Sequence, residues 1–469
     1  MNWSEFTKWG ARISEWAARY HRDIRSRPVR SQAAPGDTLK ALPEHPPETG
    51  VPMEAIFDDF ERIVMPGITH WQHPGFFAYF PSNATPPSIL AEFLSSTIAA
   101  QCMLWQTSPA ATEMETRMVD WLRQSLGLDS GFEGVIQDSA SSATLAAVLT
   151  MRERALNWTG NSDGLAGQPK LRIYCSEEVH TSVDRAIWIA GIGQANLCRI
   201  PTRGPLRGMD PDALDAAIRE DSAAGLRPAG IVVSVGGTGT GGTDPVGAVC
   251  DVAAAHDLYV HVDAAWAGAA MICPEFRSLW DGVEKADSIV FNPHKWLGVQ
   301  FDCSAHFVKS PDDLVRTLAI RPEYLKTHGH DGIVNYSEWS IPLGRRFRAL
   351  KLWFVLRTYG LEGLRQMIRN HVEWSRELYD MLVATPGFEG VTAPVLSLFT
   401  FRYMPEGTTD PDALNLRLVN AINDDGRIYL TQTRVDDALV IRFQVGQAEV
   451  TREDVLMAHE VITEIAATL

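Results

Sequence analysis

Lysine is scarce in this chain, and one lysine stands apart from the rest. Lys295 directly follows the apolar run SIVFN, inside NPHKWLG, with His294 and Trp296 on either side. An amine at the end of a strand beside an aromatic ring is poorly solvated, which lowers its pKa and leaves it nucleophilic. Asp263 closes a second apolar run, LYVHVD, and precedes the small residues Ala264 and Ala265. A carboxylate there can hold a proton on a ring nitrogen laid flat against the strand end. In GVIQDSASSATLAAV, Ser139, Ala140 and Ser141 stand just before a helix, where free N–H groups and hydroxyls bind anions. Each residue taken alone has a plainer reading: a lysine snorkelling at a strand end, an aspartate capping a helix, a serine-rich N-cap.

Taken together, the three features meet the demands of pyridoxal 5′-phosphate (PLP): a Schiff-base lysine, an acid against the pyridine nitrogen and an anion site for the phosphate. A rival reading rests on AGIVVSVGGTGTGGTDP, where Gly237, Gly239 and Gly242 fit GxGxxG and Asp263 follows about 20 residues later. That pattern would make the chain a dinucleotide-binding oxidoreductase. Against it, the last glycine of the fingerprint should open the helix, and here Thr243 and Asp244 intervene.

The elements that must position these groups can be read from periodicity. LRIYCS, NLCRI, AGIVVSV, LYVHVD and SIVFN are short strands, and they alternate with the helices ATLAAVLTMRERAL, PDALDAAIREDSAAG and PVGAVCDVAAAHD. Pro211 and Pro245 fall in first-turn positions, with Asp210 and Asp244 as the expected N-caps. Such alternation predicts an α/β fold with a mostly parallel sheet covered on both faces. Ahead of it, Phe6, Trp9, Ile13, Trp16 and Tyr20 recur at helical spacing. A Pro-rich extended linker and a second short helix, MEAIFDDFERIVM, follow. Residues 318–340 show no period, as expected of a lid. Beyond them lie a helix, RRFRALKLWFVLRTYG, and an α+β tail with strands LSLFTFRY, IYLTQTRV and ALVIRFQV. The expected division is an N-terminal helical dimerisation segment over 1–85, a cofactor-binding large domain over 86–350 and a small domain over 351–469.

Composition limits the function classes. The formal net charge is −16, so the surface repels phosphate backbones and anionic lipid, and neither nucleic acid nor a membrane is an expected partner. The six cysteines are scattered, with no CxxC and no metal-ligand spacing, and no metal is expected. The first residues are charged throughout and lack a secretory h-region, which predicts a cytoplasmic protein.

HVDAAWAGAAMICPEF, GVEKADSIVFNPHKWLG, FDCS, EYLK and IPLGRRFRALKLWFVLR together resemble the group II PLP-dependent decarboxylases, most closely the aromatic-L-amino-acid decarboxylases. The likeness runs from HWQHPGFFAYFPSN to about residue 380. It implies a fold-type I PLP enzyme, a homodimer, that decarboxylates tryptophan, 5-hydroxytryptophan, DOPA, tyrosine or phenylalanine. On the resemblance, Lys295 is the Schiff-base lysine and Asp263 the partner of the ring nitrogen. His180 stacks on the ring, with Ala265 on its other face. Ser139, Ala140, Ser141, Asn292, His294 and Thr238 contact the cofactor, and Tyr324 is the loop tyrosine that protonates the substrate carbon. Trp71, Tyr79, Phe80, Pro81 and Met103 line the substrate pocket, and an aromatic-dense segment such as HPGFFAYFP suits a ring. Gly344 occupies a position where plant relatives carry glycine for indole substrates and serine for phenols.

Gln101, Met103, Asp138 and Ser142 depart from the commoner family residues. Two further readings share the fold. An aminotransferase would need an arginine for the substrate carboxylate, for which Arg442 is the candidate. An aromatic aldehyde synthase goes with loss of the histidine at 180 or of the tyrosine at 324, and both are retained.

Overall fold

The structure is a computed structural model that describes residues 1–320 and 333–469, so Tyr324 lies outside the described residues. The chain divides into two units. One comprises residues 82–373 and 392–399, the other residues 1–81, 374–391 and 400–469.

The larger unit is built on a sheet of seven strands. They are β1 (Glu133–Gln137), β2 (Leu171–Ser176), β3 (Leu197–Ile200), β6 (Arg227–Ser234), β7 (Tyr259–Asp263), β8 (Ser288–Phe291) and β9 (Ser304–Val308). A two-stranded hairpin, β4 (Thr202–Arg203) with β5 (Gly208–Met209), stands outside it. The order is β1-β9-β8-β7-β6-β2-β3, and β9 alone runs against the others. The parallel strands carry near-continuous apolar runs because both faces are covered: every residue of β7 and β8 is buried. The pairing that periodicity alone left unread is the antiparallel one, since β1 and β9 were not among the expected strands.

The helix Ala140–Ala155 packs beneath the sheet through small residues, with Ala143, Ala146, Ala147 and Val148 buried. Helix Pro211–Ala223 is capped by Asp210, as expected, its carboxylate accepting from the N–H groups of Asp212 and Ala213. The second expected cap is corrected. Helix Val246–Ala255 starts after Pro245, and Asp244 turns inward to accept the N–H groups of Met209 and Ser234, both at 2.7 Å. Burial raises its carboxyl pKa to about 6. Two buried backbone donors hold the carboxylate more strongly than a solvated helix end does.

The described end of the period-free stretch carries a regular element. Tyr336–Trp339 forms a 3-10 turn whose two aromatics are buried, and Tyr336 Oη hydrogen-bonds Thr116 Oγ1 at 2.9 Å. Just beyond it, Arg345 and Glu115 form a buried ion pair, bidentate at 2.6 and 3.1 Å.

The other unit contains the helix Trp3–Asp23, a short helix Asp37–Ala41 inside the stretch read as an extended linker, and the helix Met53–Asp59. A second sheet has the order β10-β11-β13-β12, formed by β10 (Phe388–Val395), β11 (Leu398–Tyr403), β12 (Thr431–Val435) and β13 (Ala438–Gln444). The strand β10 was not anticipated, because its alternation is broken by Gly390 and Pro394.

Candidate active site

Because β1, β2, β6, β7 and β8 all point the same way, the residues that follow them emerge at one edge of the sheet. In open α/β sheets this carboxyl edge is where ligands bind. Reading along β8, β7, β6 and β2, the edge presents Lys295, Asp263, Thr238 and His180; the helix that follows β1 presents Ser139, Ala140 and Ser141. Strand residues on either side are sealed, but Ala265, Lys295 and Thr238 stay partly open, and His180 and Ser141 are exposed. The edge is therefore an accessible floor set among buried strand ends.

Asp263 is 7% exposed, and one oxygen accepts the Ala265 N–H at 3.0 Å, which fixes the turn that carries Ala265. Asn292 ties the neighbouring strand end to that turn: its N–H donates to the Ala265 carbonyl at 2.8 Å, and its Oδ1 accepts Ser304 Oγ–H at 2.6 Å. Lys295 sits in the connection from β8 to β9. Its carbonyl accepts from Asn83 Nδ2 at 2.7 Å, and the following Trp296 is buried, stacked on Trp266 at 5.0 Å.

His180 senses both other groups. Partial burial lowers its pKa, the Asp263 carboxylate opposes that shift and the Lys295 ammonium adds to it. Its Nδ1 accepts the backbone N–H of Ser182 at 3.1 Å and meets Ser182 Oγ at 2.8 Å, so the neutral ring carries its proton on Nε2. Residues separated by up to 115 positions in the chain thus share one electrostatic environment.

The helix after β1 has its N-cap in place, with Ser139 Oγ accepting the Ser142 N–H at 3.2 Å. Among the described residues, the N–H groups of Ala140 and Ser141 donate to no protein acceptor. They leave the first-turn donors of a 16-residue helix open to an anion.

The glycine loop serves packing rather than phosphate. Gly236, at φ 76°, would place a Cβ 2.4 Å from that of Ala267. The N–H groups of Gly236, Gly237, Gly241 and Gly242 are all taken up within the loop, Gly237 and Gly242 being the first and last glycines of the fingerprint. The next helix begins after a proline.

The expected substrate residues are divided between the units. Trp71, Tyr79, Phe80 and Pro81 belong to the unit with residues 1–81, where Trp71 and Tyr79 are exposed and stacked at 5.8 Å. Phe80 is buried beneath Arg442, whose guanidinium lies 4.6 Å from the ring centroid; burial lowers that arginine to about 9. Met103 and Gly344 belong to the larger unit and sit on one surface. The Met103 carbonyl accepts the Ser337 N–H, while Gln101 Oε1 accepts the Arg345 N–H at 2.7 Å beside Gly344. Sequence reasoning did not single out Gln101 as a partner of this segment. Its contact is side chain to backbone across more than 240 residues and leaves no periodic signal.

Residues 35–404 match the model of the pyridoxal-dependent decarboxylase conserved domain. The chain belongs to the pyridoxal-dependent decarboxylase family. It is 41% identical to aromatic-L-amino-acid decarboxylase of Sus scrofa, over all of this chain and 98% of that protein. It is 37% identical to phenylacetaldehyde synthase of Arabidopsis thaliana, over 100% and 97% of the two chains. Among solved structures, Oryza sativa TDC with PLP and tryptamine superposes with a TM-score of 0.96 at 36% identity, covering 100% of this chain and 99% of that one.

A pyridoxal-dependent decarboxylase takes PLP, and the residues at the sheet edge fit it. An amine, a buried carboxylate and an imidazole converge there, and open helix N–H groups stand at one side. Among the described residues no cluster of His, Cys, Asp and Glu is placed to hold a metal ion, and no helix is long and apolar enough to cross a membrane.

Proposed function

We propose that the chain decarboxylates an aromatic L-amino acid to the corresponding arylalkylamine. The convergence of Lys295, Asp263 and His180 at the sheet edge carries this reading. Bound there, PLP supplies an electron sink for the pair released when the Cα–carboxylate bond breaks. Lys295 would hold the cofactor through its amine, and the incoming substrate amine would displace it. Asp263 would keep the proton on the ring nitrogen, a task that its burial favours because the paired charge is not diluted by water. Ser139, Ala140 and Ser141 would receive the phosphate at the helix N-terminus; Asn292, His294 and Thr238 would complete the pocket. His180, neutral with its proton on Nε2, would lie against one ring face and Ala265 against the other.

Protonation of the substrate carbon is assigned to Tyr324. The exposed aromatic pair Trp71 and Tyr79 supports an aromatic side chain as the group recognised, and Phe80 and Pro81 would line the same pocket. Gly344 favours an indole over a phenol.

A homodimer is part of the same reading. Helix Pro86–Ile98 leaves Ile89, Leu90, Phe93, Leu94 and Ile98 exposed on one side, the kind of apolar face a second copy covers. Six free thiols suit a cytoplasmic location.

The test is a panel of tryptophan, 5-hydroxytryptophan, DOPA, tyrosine and phenylalanine scored for CO₂ release, with Lys295→Ala beside the unaltered chain. CO₂ and amine in equal amounts, abolished in Lys295→Ala, are expected. Peroxide and aldehyde in place of amine, or keto acid without CO₂, would overturn the assignment to simple decarboxylation.

A further inference from the structure

His294 is 4% exposed, and its Nδ1 accepts the backbone N–H of Cys303 at 2.9 Å while its own N–H donates to the Cys303 carbonyl at 3.2 Å. An imidazole that accepts at Nδ1 carries its proton on Nε2 when neutral. Burial, followed by the Lys295 charge, lowers its pKa to about 3, so it is neutral at ordinary pH. Among the described residues Nε2–H meets no protein acceptor, which leaves one fixed donor beside Lys295.

The direction of that donor depends on where the Cys303 N–H lies. Residues 300–303 form the last segment before β9, and side chains outside that segment hold it. Ser88 Oγ accepts the Gln300 N–H at 2.6 Å, and Lys351 Nζ donates to Gln300 Oε1 at 2.9 Å. Arg348 grips Asp302 with two bonds, 2.9 and 3.2 Å, both side chains being largely buried. Arg348 and Lys351 are three apart at the start of the helix Arg348–Ala384 and so lie on one face. A bidentate pair fixes direction as well as distance, which a lysine in the same place would not do.

We infer that the Asp302–Arg348 ion pair is a positioning device for the cofactor site: it holds the Cys303 N–H that sets the tautomer and orientation of His294, and through His294 it governs affinity for PLP. This rests on the reading of His294 as a cofactor-pocket residue. Asp302 and Arg348 are positioning residues and act through a backbone amide.

The experiment titrates PLP into the full chain freed of cofactor and records the thermal midpoint with and without PLP. Unaltered chain, Asp302→Asn, Arg348→Lys, His294→Ala and the double variant Asp302→Asn/His294→Ala are compared. Asp302→Asn is expected to weaken PLP binding about tenfold, Arg348→Lys by less, and the double variant no more than His294→Ala alone. The cofactor-free midpoint falls in Asp302→Asn, because Arg348 loses its buried counter-charge, and the midpoint gained on adding PLP shrinks in parallel with the affinity. Unchanged PLP affinity with a lowered cofactor-free midpoint, or losses that add in the double variant, would overturn the inference. If the unaltered chain bound no PLP, the site assignment itself would fall with it.

Discussion

Trp296 Nε1–H donates to His371 Nδ1 at 2.9 Å, and the two rings lie within 9° of parallel at 6.3 Å. Both are buried, and burial lowers the pKa of His371 to about 3, so the imidazole accepts as a neutral ring. Trp296 adjoins Lys295, so this bond and the stack on Trp266 set the backbone from which the lysine projects.

Trp296→Phe keeps a ring in the stack and removes the donor. Taking a donor from a buried acceptor costs about 1–3 kcal/mol. His371→Leu should cost a similar amount, and the two together less than the sum, because they break one bond. Urea unfolding of the three variants checks this; additive losses would mean that the pair is not coupled.

His306 offers a pH prediction. It lies on β9, fully buried, and neither ring nitrogen has a hydrogen-bond partner among the described residues. Burial lowers its pKa from 6.5 to about 4. Above pH 6.5 neither the folded nor the unfolded histidine is protonated, and stability does not depend on this group. Between 6.5 and about 4 the unfolded state takes the proton first, so stability falls; below about 4 both states are protonated and the loss levels off at about 3 kcal/mol. His306→Leu should lessen the acid slope over that window relative to the unaltered chain. Equal slopes in urea unfolding at pH 7 and pH 5 would show that His306 does not contribute.

The role proposed for Gly344 in substrate choice has a direct test. A Cβ there would stand 3.3 Å from Gln101 Nε2, a flexible amide end that can give way. Gly344→Ser should therefore fold and shift preference from tryptophan towards tyrosine, with the ratio of kcat/KM values changing by about tenfold. The ratio measured for both substrates decides it, and an unchanged ratio removes Gly344 from the specificity determinants.

Much of the architecture was legible beforehand because buried parallel strands are continuous apolar runs: LYVHVD and SIVFN read as strands and are β7 and β8. β1 and β9 escaped because each mixes polar with apolar residues, EGVIQ and SAHFV, and pairs with a strand far away in the sequence. Asp244 read as a cap because Asp-Pro before a helix is locally the commonest use of aspartate. Its partners, the N–H groups of Met209 and Ser234, come from other strands and have no trace in local sequence. Tyr336 and Trp339 were lost in a stretch without period, since a single buried turn has none.

The sequence by itself determined which groups are present and where each stands in its element: an amine after one strand, a carboxylate ending another, serines before a helix. Strand periodicity and local residue chemistry act over a few positions, so they can be read without the fold. Only the tertiary structure decided that the charges of Lys295 and Asp263 bear on His180, that His294 carries its proton on Nε2, and that Arg348 holds the segment beside it. Those relations depend on strand order and on hydrogen bonds between distant segments, which are set when the sheet assembles.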